Sequence, residues 1–253
     1  MLKTRVIPCL LFKERTIVKS LEFKDFRMVG DPTTCARVFN ERNADEMAFL
    51  DIMASRKNQE PNFKVIEDIA KECFMPLAIG GGIKNMQHID KLFEIGADKI
   101  ILNTALIKNP EFIKEIVKKY GSQAVVISID AKKINEEGEY TTFILGAQEQ
   151  TQFTPEQLAK KAQELGAGEI LLNSIDNDGK MQGYDLELIK RVSKEITIPL
   201  VAVGGAGKLH DCVDSIKAGA DAVCAASIFY FEGESIITIK DYMQKQGIQM
   251  RVL

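Results

Sequence analysis

Three features of the sequence together predict a (β/α)₈ barrel: its length, an alternating order of strand-like and helix-like segments, and an internal repeat. The chain has 253 residues, of which 45% are hydrophobic and 27% are charged. Single α/β barrels commonly have this length, so we expect one domain over residues 1–253 with a single core. The predicted fold class is therefore α/β, a (β/α)₈ (TIM) barrel made of two similar halves.

Short runs of β-branched and aliphatic residues recur eight times along the chain. Their mostly continuous hydrophobicity indicates strands covered on both faces, as in a parallel sheet. Segments between them have apolar residues three and four apart, for example over 63–69 and 113–117, which predicts helices. Strands and helices in this alternating order form a parallel sheet, and eight such units close a barrel. The eight predicted strands are Arg5–Leu11, Glu46–Ile52, Leu77–Ile79, Lys99–Asn103, Ala124–Asp130, Glu169–Ser174, Leu200–Val203 and Ala222–Ala225.

The two halves of the chain resemble each other. The tripeptide Gly96–Asp98 recurs as Gly219–Asp221, and a Pro-Leu pair precedes a glycine run in both halves. Such self-similarity predicts two half-barrels joined in one chain. Aligning the opening strands, VIPCLL and VVISID, sets Leu11 opposite Asp130. One half therefore ends its first strand with an acid, and the other does not.

Composition and charge argue against several classes of function. The formal net charge is -3, and the Lys and Arg residues are scattered, so neither nucleic acid nor an anionic membrane is an expected partner. The first residues have too short an apolar run for a signal peptide, and no later run approaches a membrane span, so we expect a cytoplasmic location. The five cysteines show no ligand spacing, which predicts buried reduced thiols.

The histidines give no sign of a metal centre. Only His88 and His210 are present, each in a helix that follows a glycine loop, where surface roles are expected. No metal site and no cofactor are predicted.

Glycine runs follow the third and seventh predicted strands, where the functional loops of such barrels gather. Glycine permits positive φ and close backbone approach, so successive N–H groups can converge on an anion. Because the pattern occurs in both halves, it predicts two phosphate cradles, although tight turns alone also select glycine. The glycine runs contain Gly81, Gly82, Gly205 and Gly207, while Asn103–Thr104 and Ala226–Ser227 follow the fourth and eighth predicted strands.

Four aspartates, Asp51, Asp130, Asp176 and Asp178, follow strands two, five and six, and we expect their carboxylates to point toward the mouth of the barrel. Some of them are expected to cap a turn or a helix instead. Asp130 is the best catalytic candidate, because the segment SIDAK places its acid at the last strand position. Lys19 is also assigned to the mouth.

Over essentially the whole chain the residues resemble the cyclase subunit of imidazole glycerol phosphate synthase. In that family the barrel takes ammonia from a glutaminase docked at its bottom, passes it along the barrel axis, and cyclises a bisphosphorylated substrate at the top. The resemblance implies a HisH-like glutaminase partner and catalysis by Asp130. It also implies phosphate binding by Gly81, Gly82, Asn103, Thr104, Gly205, Gly207 and Ser227. The matching segments are RVIPCL, FLDI, IGGGI, GADKIILNTA, SIDAK, GAGEILLNSIDNDG and VGGAGK.

One catalytic position departs from the family, because Leu11 stands where a second aspartate is expected. Leucine cannot transfer a proton, and general acid–base catalysis contributes about 10²–10⁴-fold, so cyclisation should be crippled. The alternatives are that Asp130 alone suffices or that Glu14 substitutes from the loop. Three further positions replace small hydroxylated or polar residues of the family: Met53, Lys180 and Leu145–Gly146.

The starts of strands one, two, four and six carry Arg5, Glu46, Lys99 and Glu169, which match the charged ring that gates ammonia entry in the family. Two positive and two negative side chains can neutralise each other around the axis, as a confined charged ring requires. The alternative is that these charges face water. Asp98 matches a residue that docks the glutaminase.

The segments VIPCLLFK, ASRKNQEPN and ECFMP are similar to a branch of the family that supplies ammonia to a sugar amidotransferase. That enzyme converts an acetamido group of a bacterial surface sugar into an acetamidino group. The leading hypothesis is therefore an ammonia-conducting barrel of surface-glycan biosynthesis, with a phosphorylated small molecule as a possible further ligand. Two alternatives remain open: a working cyclase of histidine biosynthesis, and a scaffold that holds the partners together without conducting ammonia.

Overall fold

The computed structural model describes residues 3–135 and 137–251. The described strands are β1 (Arg5–Lys13), β2 (Thr16–Leu21), β3 (Lys24–Gly30), β4 (Met47–Asp51), β5 (Leu77–Gly80), β6 (Lys99–Leu102), β7 (Val125–Lys133), β8 (Tyr140–Ile144), β9 (Glu149–Gln150), β10 (Glu169–Ser174), β11 (Leu200–Val203) and β12 (Ala222–Ala225). The described helices are α1 (Pro32–Glu41), α2 (Phe63–Ala70), α3 (Met86–Glu94), α4 (Thr104–Lys108), α5 (Pro110–Tyr120), α6 (Pro155–Glu164), α7 (Leu186–Ser193), α8 (Leu209–Lys217), α9 (Ser227–Phe231) and α10 (Ile236–Lys245).

Eight parallel strands close into a barrel in the order β1, β4, β5, β6, β7, β10, β11, β12. The last strand pairs with the first, with Arg5 opposite Ala222 and Pro8 opposite Ala225. Helices connect the strands, as parallel neighbours require. The sequence prediction of a (β/α)₈ barrel with eight strands is confirmed, and three of the strands have the predicted bounds.

Two β-hairpins that the sequence analysis did not predict extend from the mouth of the barrel. β1 runs on to Lys13 and pairs antiparallel with β2, which pairs with β3. In the same way β7 runs on to Lys133 and pairs with β8, which pairs with β9. Each half of the barrel therefore places a hairpin after its opening strand, in agreement with the internal repeat.

The alternation of side chains along each strand produces two apolar layers. On β1, Val6, Leu10 and Phe12 point outward into the core between the sheet and the helices, while Ile7 and Cys9 point inward to the axis. The inward layer includes small residues on several strands, so the middle of the barrel is apolar and narrow. Its buried members are Ile7, Cys9, Ala48, Ala78, Ile101, Val126, Leu171, Val201, Ala222 and Cys224.

Local capping explains where several helices begin. Asn62, Asn85 and Asp185 each accept a hydrogen bond from the amide three residues further on. All five cysteines are free thiols, and four of them are buried. Within the described residues, no helix combines the length and the apolarity needed to cross a bilayer.

Candidate functional site

A cavity opens at the carboxyl ends of the barrel strands and encloses about 1300 Å³, including the space at its mouth. Its floor reaches Cys9 and Leu171 of the apolar axial layer. Phe23 and Phe26 of the β2–β3 hairpin line its rim. The cavity lies where the loops of both half-barrels meet, so it is the place where a ligand would contact both halves.

Leu11 and Asp130 both line this cavity. Asp130 is buried, and this burial raises the pKa of its carboxyl to about 7. A hydrogen bond with Asn173 opposes the increase, and the nearby Asp178 charge adds to it. The side chain of Asn103 also reaches it, with 3.4 Å between Nδ2 and Oδ2. A carboxyl with a pKa near neutrality can both donate and accept a proton. Leu11 adds only apolar surface.

Asp178 lines the cavity but is used to fasten the β2–β3 hairpin. Its Oδ2 accepts hydrogen bonds from Ser20 Oγ at 2.6 Å and from Phe23 N at 3.3 Å. Lys180 makes a further tie to this hairpin, with 2.5 Å between its Nζ and Glu22 Oε1. Burial raises the pKa of Asp178, and these hydrogen bonds oppose that effect. The loop after β10 therefore holds the roof of the cavity in place.

Asp51 shapes a turn at the edge of the cavity. Its Oδ1 accepts hydrogen bonds from Met53 N and Ala54 N, both at 3.0 Å. Burial raises the pKa of this carboxyl, and the two amides oppose that effect. Asp51 therefore lines the cavity, but its hydrogen bonds order the loop that follows β4.

Two residues assigned to the mouth from the sequence lie elsewhere. Asp176 is not among the residues that line the cavity, and its Oδ2 accepts a hydrogen bond from Lys133 N at 2.7 Å, so it ties two loops together. Lys19 is buried outside the cavity wall, with its Nζ donating to Cys9 O at 2.8 Å above the ring of Tyr230. Neither side chain lines the cavity, and the assignment of both to the mouth stays a prediction. In each case a backbone group recruits the charged side chain.

The glycine turns adopt the backbone conformations that require glycine. Gly81 and Gly205 line the cavity with φ of 106° and 108°. A Cβ on Gly81 would stand 2.3 Å from Asp51 O, and one on Gly205 would stand 2.1 Å from Gly183 O. These close approaches leave no room for a side chain, so the turns hold backbone directly at the cavity wall.

The structure separates the predicted phosphate-binding residues into two groups. Six of them line the cavity: Gly81, Gly82, Asn103, Thr104, Gly205 and Ser227. Gly207 does not line it, and its amide donates to Asp211 Oδ2 at 2.9 Å. The amide of Gly82 donates to Ser55 Oγ at 3.2 Å. Two glycine amides that were expected to face a ligand therefore already have partners within the chain.

Arg56 is a cavity residue that the sequence reasoning did not single out. It lies in the loop after β4 and is the only cationic side chain among the described residues that line the cavity. Its Nη2 donates a hydrogen bond to Gly146 O, in the turn between β8 and β9. The run ASRKNQEPN entered the sequence analysis only through its similarity to a branch of the family, and the direction of the arginine could not be read from it.

At the amino end of the barrel, four charged side chains form a closed ring around the axis. Arg5 donates to Glu46 Oε2 at 2.6 Å and also to Glu169. Lys99 Nζ lies 2.8 Å from Glu46 Oε2 and 2.7 Å from Glu169 Oε2. Each cation therefore bridges both carboxylates, and none of the four side chains is left without a partner.

The environment of the ring favours the charged form of Glu169. Glu46 and Glu169 are only 5% and 6% exposed. Burial by itself raises the pKa of Glu169, but the charges of Arg5 and Lys99 outweigh it and hold that pKa below its usual value. Burial likewise opposes the charge on Arg5, and the two carboxylates raise its pKa in spite of it. The ring is thus neutral as a whole, and each charge depends on the others.

Asp98 is exposed immediately before Lys99, at the amino end of β6. Its Oδ2 accepts a hydrogen bond from Leu77 N at 2.8 Å. The matching residue of the second half, Asp221, accepts in the same way from Leu200 N at 2.9 Å. Asp98 therefore makes the same backbone hydrogen bond as its counterpart in the second half, and its other oxygen remains available at the surface.

In the part of the chain that the structure describes, no group of three or more His, Cys, Asp or Glu side chains could hold a metal ion. His210 is exposed, as expected. His88 is half-buried instead, with its ring packed edge-on against Phe63 and its Nε2 3.8 Å from Glu60 Oε2.

Comparison with known proteins agrees with this geometry. The model of the family described as "Histidine biosynthesis protein" matches residues 5–234. A curated protein of Campylobacter jejuni subsp. jejuni serotype O:2, called "Putative imidazole glycerol phosphate synthase subunit hisF2", is 44% identical over 253 residues, which cover the whole of both chains. The chain therefore belongs to the histidine biosynthesis protein family, as a HisF-like member.

Proposed function

We propose that this chain is an ammonia-delivering barrel that works with a HisH-like glutaminase in bacterial surface-glycan biosynthesis. Ammonia enters at the amino end of the barrel, crosses the axis, and leaves at the mouth for a sugar amidotransferase. That enzyme forms an acetamidino group from an acetamido group. The observation that carries the proposal is a closed charged ring at one end of the barrel combined with Leu11 at the other.

The ring and the axial layer together suit a neutral molecule. Above the ring the axis is lined by apolar side chains, among them Ala48, Ala78 and Ala222. An ammonium ion would lose its hydration there without finding a counter-charge, whereas neutral ammonia loses much less. A ring whose four charges already satisfy one another offers no free carboxylate to trap a cation. This arrangement supports conduction of ammonia in its neutral form.

The acidic residues at the mouth favour delivery of ammonia over cyclisation of a substrate. Asp130 is the one proton-transfer group of the matched catalytic pair that remains, since Leu11 replaces the other. The Asp178 carboxylate is held by Ser20 and Phe23, so it is a poor substitute. A barrel that passes ammonia onward needs no second acid, because another enzyme activates the acceptor.

A phosphorylated small molecule is proposed as a ligand of the mouth. Thr104 and Ser227 begin α4 and α9 at the cavity, and the N-caps of these helices, Asn103 and Ala226, make no side-chain capping hydrogen bond. The first-turn amides at both places therefore lack a side-chain cap and can donate hydrogen bonds to an anion. The internal partners of Gly82 and Gly207 limit how many amides each cradle can contribute.

The proposal is tested by following nitrogen from glutamine to product. The chain, its glutaminase and the sugar amidotransferase are supplied with amide-¹⁵N glutamine and an excess of unlabelled ammonium, and the acetamidino sugar is analysed by mass spectrometry. Delivery through the barrel predicts label from glutamine in the product, and loss of that label when the chain is omitted. Product labelled equally well without the chain would contradict the proposal.

A genetic experiment separates this function from the cyclase alternative. Deletion of the gene should remove acetamidino groups from the surface glycan and leave growth without histidine intact. Histidine auxotrophy with an unchanged glycan would instead assign the chain to histidine biosynthesis.

A further inference from the structure

Arg56 brings a positive charge into a cavity whose other described charged side chains are Asp51, Asp130 and Asp178. It is half-buried, and its Nε is shielded from solvent without a hydrogen-bond acceptor. In the described part of the chain no carboxylate lies within 4.0 Å of its guanidinium. The single hydrogen bond of the side chain goes to Gly146 O. The guanidinium is therefore partly desolvated without a counter-ion.

The backbone that carries Arg56 is firmly held. Asp51 binds the first two amides of the turn, Lys57 N donates to Met53 O at 2.9 Å, and Gln59 N donates to Ala54 O at 2.8 Å. These bonds form a short helical turn directly after β4. Arg56 therefore projects from a fixed position.

The turn that accepts the hydrogen bond from Arg56 has an unusual backbone conformation. Leu145, Gly146 and Ala147 all have positive φ, of 55°, 64° and 67°. Left-handed backbone at two non-glycine residues costs about 1–2 kcal/mol each, so this turn depends on outside contacts. One is the Arg56 bond to Gly146 O, and another is Leu145 N, which lies 3.4 Å from Thr104 Oγ1.

Gly146 also makes room for the guanidinium. A Cβ at this position would stand 2.5 Å from Arg56 Nε, which is too close for any real contact. An arginine and a glycine on two different loops, 90 residues apart in sequence, therefore fit each other. The remaining amino group, Nη1, makes no hydrogen bond with a described residue, and its two N–H groups are left for a ligand.

Burial lowers the pKa of Arg56, and the Asp130 charge only partly opposes this effect. Guanidinium stays protonated at neutral pH in any case. The cost of its partial burial is offset once an anion forms charge-assisted hydrogen bonds with it. A phosphate suits the place, because it offers several oxygens and the Thr104 hydroxyl lies against the Leu145–Ala147 turn that Arg56 also contacts.

We propose that Arg56 is the anion-recognising side chain of the mouth, binding a phosphate monoester of the ligand beside Thr104 and the Leu145–Ala147 turn. This deepens the proposed function, since it rests on the mouth taking a phosphorylated small molecule. It also makes the cavity asymmetric, because no cation of the second half lines it within the described residues. The first half then holds the anion by charge, and the second half contributes no cation to it within the described residues.

The test uses inorganic phosphate as probe and isothermal titration calorimetry on the full chain at neutral pH. Arg56→Met should weaken phosphate binding at least tenfold. Lys57→Met is the matched control: it removes the same charge one residue away, from a half-exposed side chain that pairs with Glu14 and does not line the cavity. It should bind phosphate within twofold of the parent. Gly146→Ala should also weaken binding, without any change of charge, because its Cβ displaces the guanidinium.

Acetate serves as a second probe, since a carboxylate is a smaller monoanion with two oxygens. Acetate binding as tight as phosphate would overturn the assignment to a phosphate monoester. Equal phosphate affinity of the parent and Arg56→Met, an equal loss in Lys57→Met, or no measurable binding by the parent would overturn the role of Arg56. None of these results depends on ammonia or glutaminase, so the ¹⁵N experiment can still succeed when this one fails.

Discussion

Leu11 and Asp130 face one cavity from the opening strands of the two half-barrels, and only Asp130 can exchange a proton. Leu11 lies opposite Leu50 on β4, while Asp130 lies opposite Asn173 on β10. The two halves thus share a backbone plan but have different chemistry at equivalent positions. The chemical capacity of the mouth follows from this difference.

The first prediction is that the purified chain, given free ammonium, will not cyclise the bisphosphorylated substrate of the histidine pathway at a useful rate. Loss of one acid–base group lowers the rate by about 10²–10⁴-fold. Leu11→Asp should raise the rate without reaching a typical enzyme value, because Met53 and Lys180 also differ from the family. Turnover by the unmodified chain within about tenfold of 10 s⁻¹ would contradict this prediction.

The second prediction concerns Asp130 and pH. Its pKa is about 7 in the folded chain and about 3.9 when unfolded, so between these values the folded state binds more protons. Stability at this site therefore falls as pH rises from about 4 to 7. Asp130→Asn should stabilise the protein by up to about 4 kcal/mol above pH 7, and this gain should vanish near pH 4.

Urea unfolding of the parent and Asp130→Asn across that pH range measures the difference. Asp176→Asn is a suitable control, since Asp176 lies outside the cavity wall. A stability difference between the parent and Asp130→Asn that does not change with pH would show that Asp130 has an ordinary carboxyl pKa.

The third prediction concerns the charged ring. Lys99→Ala leaves Glu46 and Glu169 with one cation between them, and removal of one partner of a buried ion pair typically costs about 3–5 kcal/mol. Lys99→Met combined with Glu169→Gln keeps the ring neutral, so it should recover part of this loss. Unfolding free energies of the three proteins provide the measurement. A double variant as unstable as Lys99→Ala would argue against charge balance as the cause.

The fourth prediction is functional and uses the same ring. A folded Lys99→Ala variant should still bind the glutaminase but should transfer a smaller share of glutamine nitrogen to the acetamidino sugar. Pull-down of the glutaminase and ¹⁵N incorporation are measured on the same preparations. Unchanged ¹⁵N transfer with an intact complex would contradict ammonia conduction through the ring and would favour the scaffold hypothesis.

The fifth prediction compares two glycines with positive φ. Gly81→Ala places a Cβ 2.3 Å from Asp51 O, whereas a Cβ on Gly233 has nothing within 4 Å. Gly233→Ala should therefore cost only the backbone strain, about 1 kcal/mol, and Gly81→Ala should cost clearly more. Equal losses in thermal unfolding would show that the turn after β5 can move away from Asp51.

The barrel, its internal repeat and the positions of charge along the strands could all be predicted from the order of residues in the chain. Alternating apolar segments dictate a parallel sheet, and the alternation of side chains within a strand decides which residues face the axis. Arg5, Glu46, Lys99 and Glu169 were placed in one ring by the resemblance to the family, and the strand order is compatible with this because all four begin barrel strands. Comparison of the two halves likewise showed that Leu11 stands where the second half has Asp130.

Only the tertiary structure decided which polar side chains reach the cavity. Lys19 and Asp176 bond to backbone groups 10 and 43 residues away in sequence, at Cys9 and Lys133. Arg56 enters the mouth because a glycine 90 residues later leaves space for it. A buried polar side chain orients toward the partner whose hydrogen bond best offsets the free-energy cost of its desolvation. Such partners come close to it only when the chain has folded.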